Sequence, residues 1–189
     1  MEKYTIGIDF GTLSGRCLLV DVASGKEVAA SVYEYPHGVI EGSLPYGRKL
    51  PNDWYLQHPK DYLEVLENTV EKTLDEAGVK QEQVIGIGVD FTACTMLPIT
   101  EDGTPLCMLE KYRSDPNAYV KLWKHHSAQP QADRLTRVAQ ERKENFIKRY
   151  GGKSSSEWML PKILQTLEES PDVYRDTYTF MEAGDWIVL

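Results

Sequence analysis

Tyr4, Ile6, Ile8 and Phe10 alternate with Thr5, Gly7 and Asp9 at the start of the chain, the two-residue period of a half-buried strand. A compact apolar run over Arg16–Asp21 predicts a second strand, and Ser24-Gly25 turns the chain into a third over Glu27–Tyr35. Residues 36–53 lose the period: Gly38, Gly42, Gly47, Pro45 and Pro51 predict a long irregular loop, of a kind that in compact domains is usually functional or disordered. A helical period follows. Pro59 suits the first helical position, Leu63, Leu66, Val70, Thr73, Leu74 and Ala77 form the predicted buried stripe, and Gly78 ends it. Val84–Asp90 is apolar on both faces and predicts a central strand. A strand, a crossover helix and a strand predict parallel pairing with a right-handed connection. Thr95–Ile99 reads as a short strand turning through Glu101-Asp102-Gly103 into Leu106–Leu109.

From Pro116 the pattern turns helical. Tyr119, Leu122 and Trp123 lead one segment, Leu135, Val138 and Ala139 mark another, Gly151-Gly152 interrupts, and Glu157–Leu167 resumes before Pro171. The predicted order is βββαββ followed by helices. Asp185–Leu189 looks like the opening of a buried helix without a polar tail, which suggests a piece of something longer.

Composition narrows the function classes. With 189 residues a single domain is expected, and 41% hydrophobic and 26% charged residues are ordinary for a globular chain. The net charge of −8 argues against a phosphate-tracking nucleic-acid binder. Arg137, Arg142, Lys143, Lys148 and Arg149 are mixed with Glu141 and Glu144, the pattern of a solvated helix face. Cys17, Cys94 and Cys107 form no CxxC pair and sit in apolar runs, so reduced thiols are expected. No signal-peptide pattern opens the chain and no apolar run approaches a membrane span, which together predict a cytoplasmic protein with no membrane partner.

The chemistry concentrates at Gly7–Asp21. An apolar strand ends on Asp9, a small-residue turn Gly11-Thr12-Leu13-Ser14-Gly15 follows, and Arg16 opens the next strand. Small residues let backbone N–H groups approach an anion, a carboxylate can hold a metal ion through water, and a guanidinium can neutralise phosphate oxygens. The same residues also suit an ordinary β-hairpin. Ile85–Ala93 echoes the first stretch: an apolar strand runs into the small, polar tip Asp90, Thr92, Ala93, and ligands of open α/β sheets bind beyond strand carboxyl ends. Elsewhere, Asp102-Gly103-Thr104 reads as a hairpin turn. His125 and His126, adjacent on a predicted helix, point apart, and His37 and His58 show no acidic or cysteine partner at ligand spacing. No Ser-His-Asp arrangement can be argued from the sequence.

Gly7–Asp21 resembles the first phosphate loop of the sugar-kinase, Hsp70 and actin superfamily, and Arg16 within it is similar to the FGGY carbohydrate kinases. Gly86–Pro98, Leu122–Gln129 and Tyr150–Met159 resemble the ribulokinase branch of that family, so the likeness covers nearly the whole chain. It implies an α/β, ribonuclease H-like fold with a mixed sheet and flanking helices, here as an incomplete N-terminal lobe spanning residues 1–189. It implies ATP and Mg²⁺ as cofactors, with Asp9 organising the metal through water. Gly11, Thr12, Leu13 and Ser14 would face the nucleotide phosphates, and Arg16 would clamp the transferring phosphoryl group. Asp90, Thr92 and Ala93 would face the sugar, with backbone contact from Ala93, and Trp123 aligns with an aromatic near the substrate or serves as a core residue. The implied reaction is ATP-dependent phosphorylation of L-ribulose in arabinose catabolism. Another pentulose or polyol kinase such as a xylulokinase, or a non-catalytic actin-like or Hsp70-like ATP-binding module, is the alternative. The catalytic base and the adenine pocket would lie in a C-terminal lobe, a partner this segment needs for turnover. A homo-oligomer is possible within the family.

Overall fold

The computed structural model describes residues 2–189, in which the chain forms two compact units. One comprises the chain up to Val39 together with His58–Thr92; the other comprises Ile40–Gln57 and Ala93–Ile187.

The first unit is built on a four-stranded sheet in the order β3-β2-β1-β5. Strands β1 (Tyr4–Phe10), β2 (Ser14–Asp21) and β3 (Glu27–Glu34) form an antiparallel meander, and β5 (Val84–Phe91) pairs parallel to β1. This is the expected mixed sheet. The alternation in β1 buries Tyr4, Ile6, Ile8 and Phe10 on the face that α1 (Pro59–Ala77) covers and leaves Asp9 on the other. Phe10, Tyr62, Tyr35 and Phe91 make the aromatic part of this core, with ring centroids 5.0–6.0 Å apart. Gly78 ends α1 in the left-handed conformation, at φ 63°.

Two expectations for this unit need correction. Of the expected buried stripe of α1 only Thr73 is fully buried: Leu63, Leu66, Val70, Leu74 and Ala77 are half-buried, and the helix turns Tyr62, Val65 and Thr69 inward with Thr73. Threonine is tolerated there because its hydroxyl is satisfied locally. Thr69 Oγ1 donates to Val65 O and Thr73 Oγ1 to Thr69 O, each at 2.7 Å, and Ser31 Oγ of β3 donates to Thr69 O at 2.9 Å. Strand β5 is an edge strand rather than a central one, with Ile85 56% and Ile87 62% exposed. A continuous apolar run records that a strand has two apolar faces, not that this segment supplies the cover for them.

The second unit holds a smaller four-stranded sheet in the order β4-β7-β6-β8, with β4 (Leu56–Gln57), β6 (Met96–Ile99), β7 (Val120–Lys121) and β8 (Thr179–Glu182). Its helices are α2 (Gln129–Glu141), α3 (Met159–Glu169), α4 (Pro171–Asp176) and the short α5 (Ala183–Trp186). Part of residues 36–53 is not a loose loop. Ile40, Leu44, Leu50 and Trp54 are buried in one cluster with Leu106, Tyr112, Tyr119 and Val173. The helix expected at Tyr119–Trp123 is instead β7 and a turn, so His125 and His126 are not on a helix. Leu106–Met108 is a 3₁₀ turn rather than a strand.

Candidate active site

The β1–β2 turn is tighter than the sequence suggests, because β2 begins at Ser14. Gly11 N–H donates to Ser14 O at 2.9 Å, so this amide closes the turn instead of facing solvent. Tyr35 ties the turn down: its N–H donates to Leu13 O at 2.9 Å and its hydroxyl to Gly11 O at 3.1 Å. Burial, helped by the Asp9 carboxylate, pushes the Tyr35 phenol well above its ordinary range, which keeps that donor protonated. Gly15 is required by packing, since a Cβ there would lie 2.5 Å from both Val65 methyl carbons. Thr12 and Ser14 are half-buried beside the exposed Leu13.

The register places three of the candidate residues side by side. Arg16 pairs with Asp9 across the antiparallel β1–β2 ladder, and Asp9 pairs with Asp90 across the parallel β1–β5 ladder. All three are exposed. They line an open groove of about 410 Å³ together with Gly7, Ile8, Leu18, Gly88 and Val89. No ion pair among the described residues involves Asp9, Arg16 or Asp90. Two carboxylates and one guanidinium left unneutralised on one face suit a ligand that itself carries both signs, such as a metal ion with a phosphate. Gly7 and Gly88, missed as site residues, pair across the same ladder, and a Cβ on either would meet nothing within 4 Å. Their lack of side chains keeps the groove floor open. The echo between the two strands already carried that signal: each has a glycine two residues before its aspartate.

Asp9 and Asp90 offer hard oxygen donors without a closed cage, which fits Mg²⁺, an ion that keeps several of its waters. Asp90 Oδ1 also accepts from Phe91 N–H at 2.9 Å, which holds its carboxylate toward the strand end.

The remaining candidates divide between the units. Thr92 closes the first, its N–H reaching Phe10 O at 3.4 Å. Ala93 opens the longer segment of the second and is exposed, and Cys94 beside it has a φ of +59°, a conformation L-residues rarely adopt. Trp123 is 40% exposed, so it is not a core residue. Sequence reasoning missed two lysines of this unit. Lys121 and Lys162 are both buried although, among the described residues, neither has a carboxylate within ion-pair distance. Lys121 Nζ donates to Asn117 Oδ1, Gln165 Oε1, Thr166 Oγ1 and Lys162 O at 2.7–3.1 Å, while burial lowers its pKa to about 7. Asp102-Gly103-Thr104 is a turn as expected, with Thr100 N–H donating to Thr104 O at 2.9 Å.

The reading that His37 and His58 lack an acidic partner is wrong. His37 Nδ1 lies 2.6 Å from Asp61 Oδ1, and the His37 ring stacks on His58 with centroids 4.5 Å apart. The three come from a loop, a helix cap and the first helical turn, a grouping that local spacing does not show. They are nevertheless poorly set for a metal. His58 Nδ1 accepts the Lys60 N–H as the cap of α1, which leaves the ring proton on Nε2. Both Asp61 oxygens are engaged by His37, Oδ2 through the backbone N–H at 3.1 Å. Burial lowers the His58 pKa to about 4 and raises that of Asp61, as expected for a buried capping cluster.

The chain shares its fold with solved sugar kinases. A xylulose kinase from Rhodospirillum rubrum superposes on 98% of the chain, and the chain on 33% of that structure, with a TM-score of 0.75 at 17% identity. A gluconate kinase from Lactobacillus acidophilus gives 0.71 at 16% identity, covering 100% of the chain and 33% of the structure. At such identities the likeness is one of fold. Residues 4–189 match the N-terminal domain of the FGGY family of carbohydrate kinases, and the chain belongs to that family. Among curated relatives, a ribulokinase of Bacillus licheniformis is 58% identical over 177 residues, covering 93% of this chain and 32% of its own length. One of Shouchella clausii is 55% identical across 100% of the chain and 34% of its own length. The chain thus spans about a third of the curated relatives it matches. Among the described residues no helix is long and apolar enough to cross a membrane.

Proposed function

We propose that the full-length protein is a pentulose kinase that moves the γ-phosphoryl group of ATP to a terminal hydroxyl of L-ribulose. The observation that carries this reading is the 58% identity to a protein named ribulokinase, sustained over 93% of the chain. The groove supports it. Phosphoryl transfer asks mainly for positioning and charge neutralisation, and the ladder of Arg16, Asp9 and Asp90 offers both signs at one level of the sheet. Arg16 would bind the transferring phosphate oxygens through its fork of donors. Asp9 would hold the hydrated Mg²⁺ that, when bound, offsets phosphate charge, and Asp90, which the resemblance sets toward the sugar, would lie beside it in the groove. Thr12 and Ser14, at the turn, would border the nucleotide phosphates. Ala93, with no side chain to intrude, would present backbone to the sugar, and Trp123 an exposed ring. The general base and the adenine site would come from the remaining two-thirds of the family's length, so residues 1–189 alone would not turn over.

The test is ADP release by the full-length protein with MgATP and a panel of L-ribulose, D-ribulose, D-xylulose, L-xylulose and glycerol. Preference for L-ribulose is expected. Preference for D-xylulose would replace the substrate while keeping the class, and no heat on titration with any polyol would favour a non-catalytic ATP-binding module.

A further inference from the structure

The second unit contains a device that nothing in the phosphoryl-transfer reading uses. Lys162, in the first turn of α3, is 0% exposed. Its Nζ donates to Cys94 O at 2.6 Å and to Leu122 O at 2.9 Å. One of these carbonyls follows Ala93 along the chain, and the other immediately precedes Trp123. A single buried ammonium therefore ties together the backbone beside both residues of this unit that the sugar reading assigns to the substrate. The loop it holds needs holding, because the +59° φ of Cys94 is a conformation that costs on the order of 1–3 kcal/mol unless the surroundings impose it.

A second group grips the same loop. Glu182, the last residue of β8, accepts the Thr95 N–H through Oε2 at 3.0 Å, and the next residue's N–H, that of Ala183, donates to Thr95 O at 2.7 Å. Ala93–Thr95 is thus fixed by a cation on one carbonyl and an anion on a neighbouring amide. An ordinary structural lysine does not require this arrangement. Burial lowers the Lys162 pKa to about 8 against the attraction of Cys94, Glu182 and Glu157, and retaining an unpaired ammonium there is costly unless its position matters.

We propose that Lys162, assisted by Glu182, is a positioning residue for the pentulose: it sets the backbone of Ala93-Cys94 against that of Leu122-Trp123 and so fixes the spacing of the sugar contacts. This rests on the pentulose-kinase reading above. It does not make Lys162 a catalytic residue, since its ammonium is enclosed and faces carbonyl groups of the protein.

The experiment uses the full-length enzyme and the variants Lys162→Met and Glu182→Gln. Lys162→Met keeps length and burial but removes the donor to Cys94 O and leaves Leu122 O only the His125 N–H, at 2.9 Å. It should raise KM for L-ribulose at least tenfold and narrow the preference among pentulose epimers, with KM for MgATP within twofold of wild type. Glu182→Gln, which keeps an acceptor for Thr95 N–H, should raise the sugar KM by about threefold. A sugar KM within twofold of wild type, or sugar and nucleotide KM rising in parallel, would overturn the proposal. If Lys162→Met does not fold, Glu182→Gln decides by the same criteria. Hydrogen exchange separates this proposal from the kinase reading. Amides of Thr92–Met96 should exchange at least tenfold faster in either variant, and unchanged exchange would remove the clamp whatever the enzyme's substrate. A wild-type enzyme that phosphorylates no pentulose would instead overturn the kinase reading and, with it, the sugar-positioning role, even if the exchange result showed the clamp to be real.

Discussion

Replacing Arg16 by alanine in the full-length protein separates chemistry from folding, because this side chain is exposed and joins no ion pair among the described residues. Its loss should change unfolding free energy by no more than about 0.5 kcal/mol, the range for surface substitutions. The effect on turnover depends on how wet the groove is when the phosphoryl group moves. Two unit charges about 4 Å apart interact by about 1 kcal/mol in water and by about 4 kcal/mol at an effective dielectric of about 20. At about 1.4 kcal/mol per factor of ten, an open groove predicts a fall in kcat of only about fivefold. A groove closed over by the rest of the enzyme predicts about 10²- to 10³-fold, which is also the scale for losing one preorganised donor. The larger loss is expected, since water exclusion is what gives such a charge its leverage. Arg16→Lys keeps the charge but not the two-pronged geometry and should fall between. The assay is steady-state ADP release at saturating L-ribulose and MgATP, with melting temperature measured on the same preparations. A kcat for Arg16→Ala within threefold of wild type, at an unchanged melting temperature, would refute the assignment of Arg16 to the phosphoryl group.

Gly88→Val should fold normally, because a Cβ there meets nothing within 4 Å and the residue lies on an exposed strand. It should nonetheless raise KM for MgATP or lower kcat by tenfold or more by filling the groove floor; unaltered kinetics would show that the groove is not used. Gly15→Ala should destabilise by about 1–3 kcal/mol, since its Cβ would sit 2.5 Å from the methyls of the fully buried Val65. Val65→Ala in the same chain should recover part of that loss in urea unfolding, and strict additivity of the two changes would argue against the clash. His58 should make the protein acid-sensitive. Its folded pKa of about 4 lies below the ordinary 6.5, so the unfolded state takes up a proton that the folded state refuses. Stability is therefore unaffected above pH 6.5, falls as pH drops toward 4, and levels off below, a loss of at most about 3 kcal/mol. Burial raises the Asp61 carboxyl, which acts with the opposite sign at low pH, so the readout is wild type against His58→Asn, which keeps a capping side chain. Identical pH dependence of the urea midpoints in the two proteins would exclude this role for His58.

The parts of the site legible in the sequence are those set by local register. A short turn fixes which residues of two antiparallel strands face each other, so Asp9 and Arg16 had to meet once the hairpin was recognised. Asp90 was readable through the repeated strand-and-tip pattern, because parallel pairing aligns two similar strands at their carboxyl ends. What stayed hidden depends on partners distant in the chain. Thr69 looks too polar for a core until its hydroxyl is seen to bond back to its own helix. The exposure of β5 depends on what covers it, which no pattern within the strand encodes.

Lys162 shows the limit most sharply. On an amphipathic helix a lysine reads as solvent-facing, and α3 carries apolar residues that would seem the natural core face. The observed helix does the reverse: Leu160 and Leu167 are 69% and 40% exposed, while Lys162, Gln165 and Thr166 are fully buried. The inversion has a physical cause. The turn after β7 and the strained segment before β6 bring Leu122 O, which also accepts the His125 N–H at 2.9 Å, close to Cys94 O, and a long side chain with several donors bridges the two. Those carbonyls lie 40 and 68 residues away in sequence. A polar face on a buried helix is therefore the imprint of irregular backbone elsewhere, and here that backbone flanks Ala93 and Trp123. Where a helix turns its charge inward and its leucines outward, the segment its charge holds is the place to look for function.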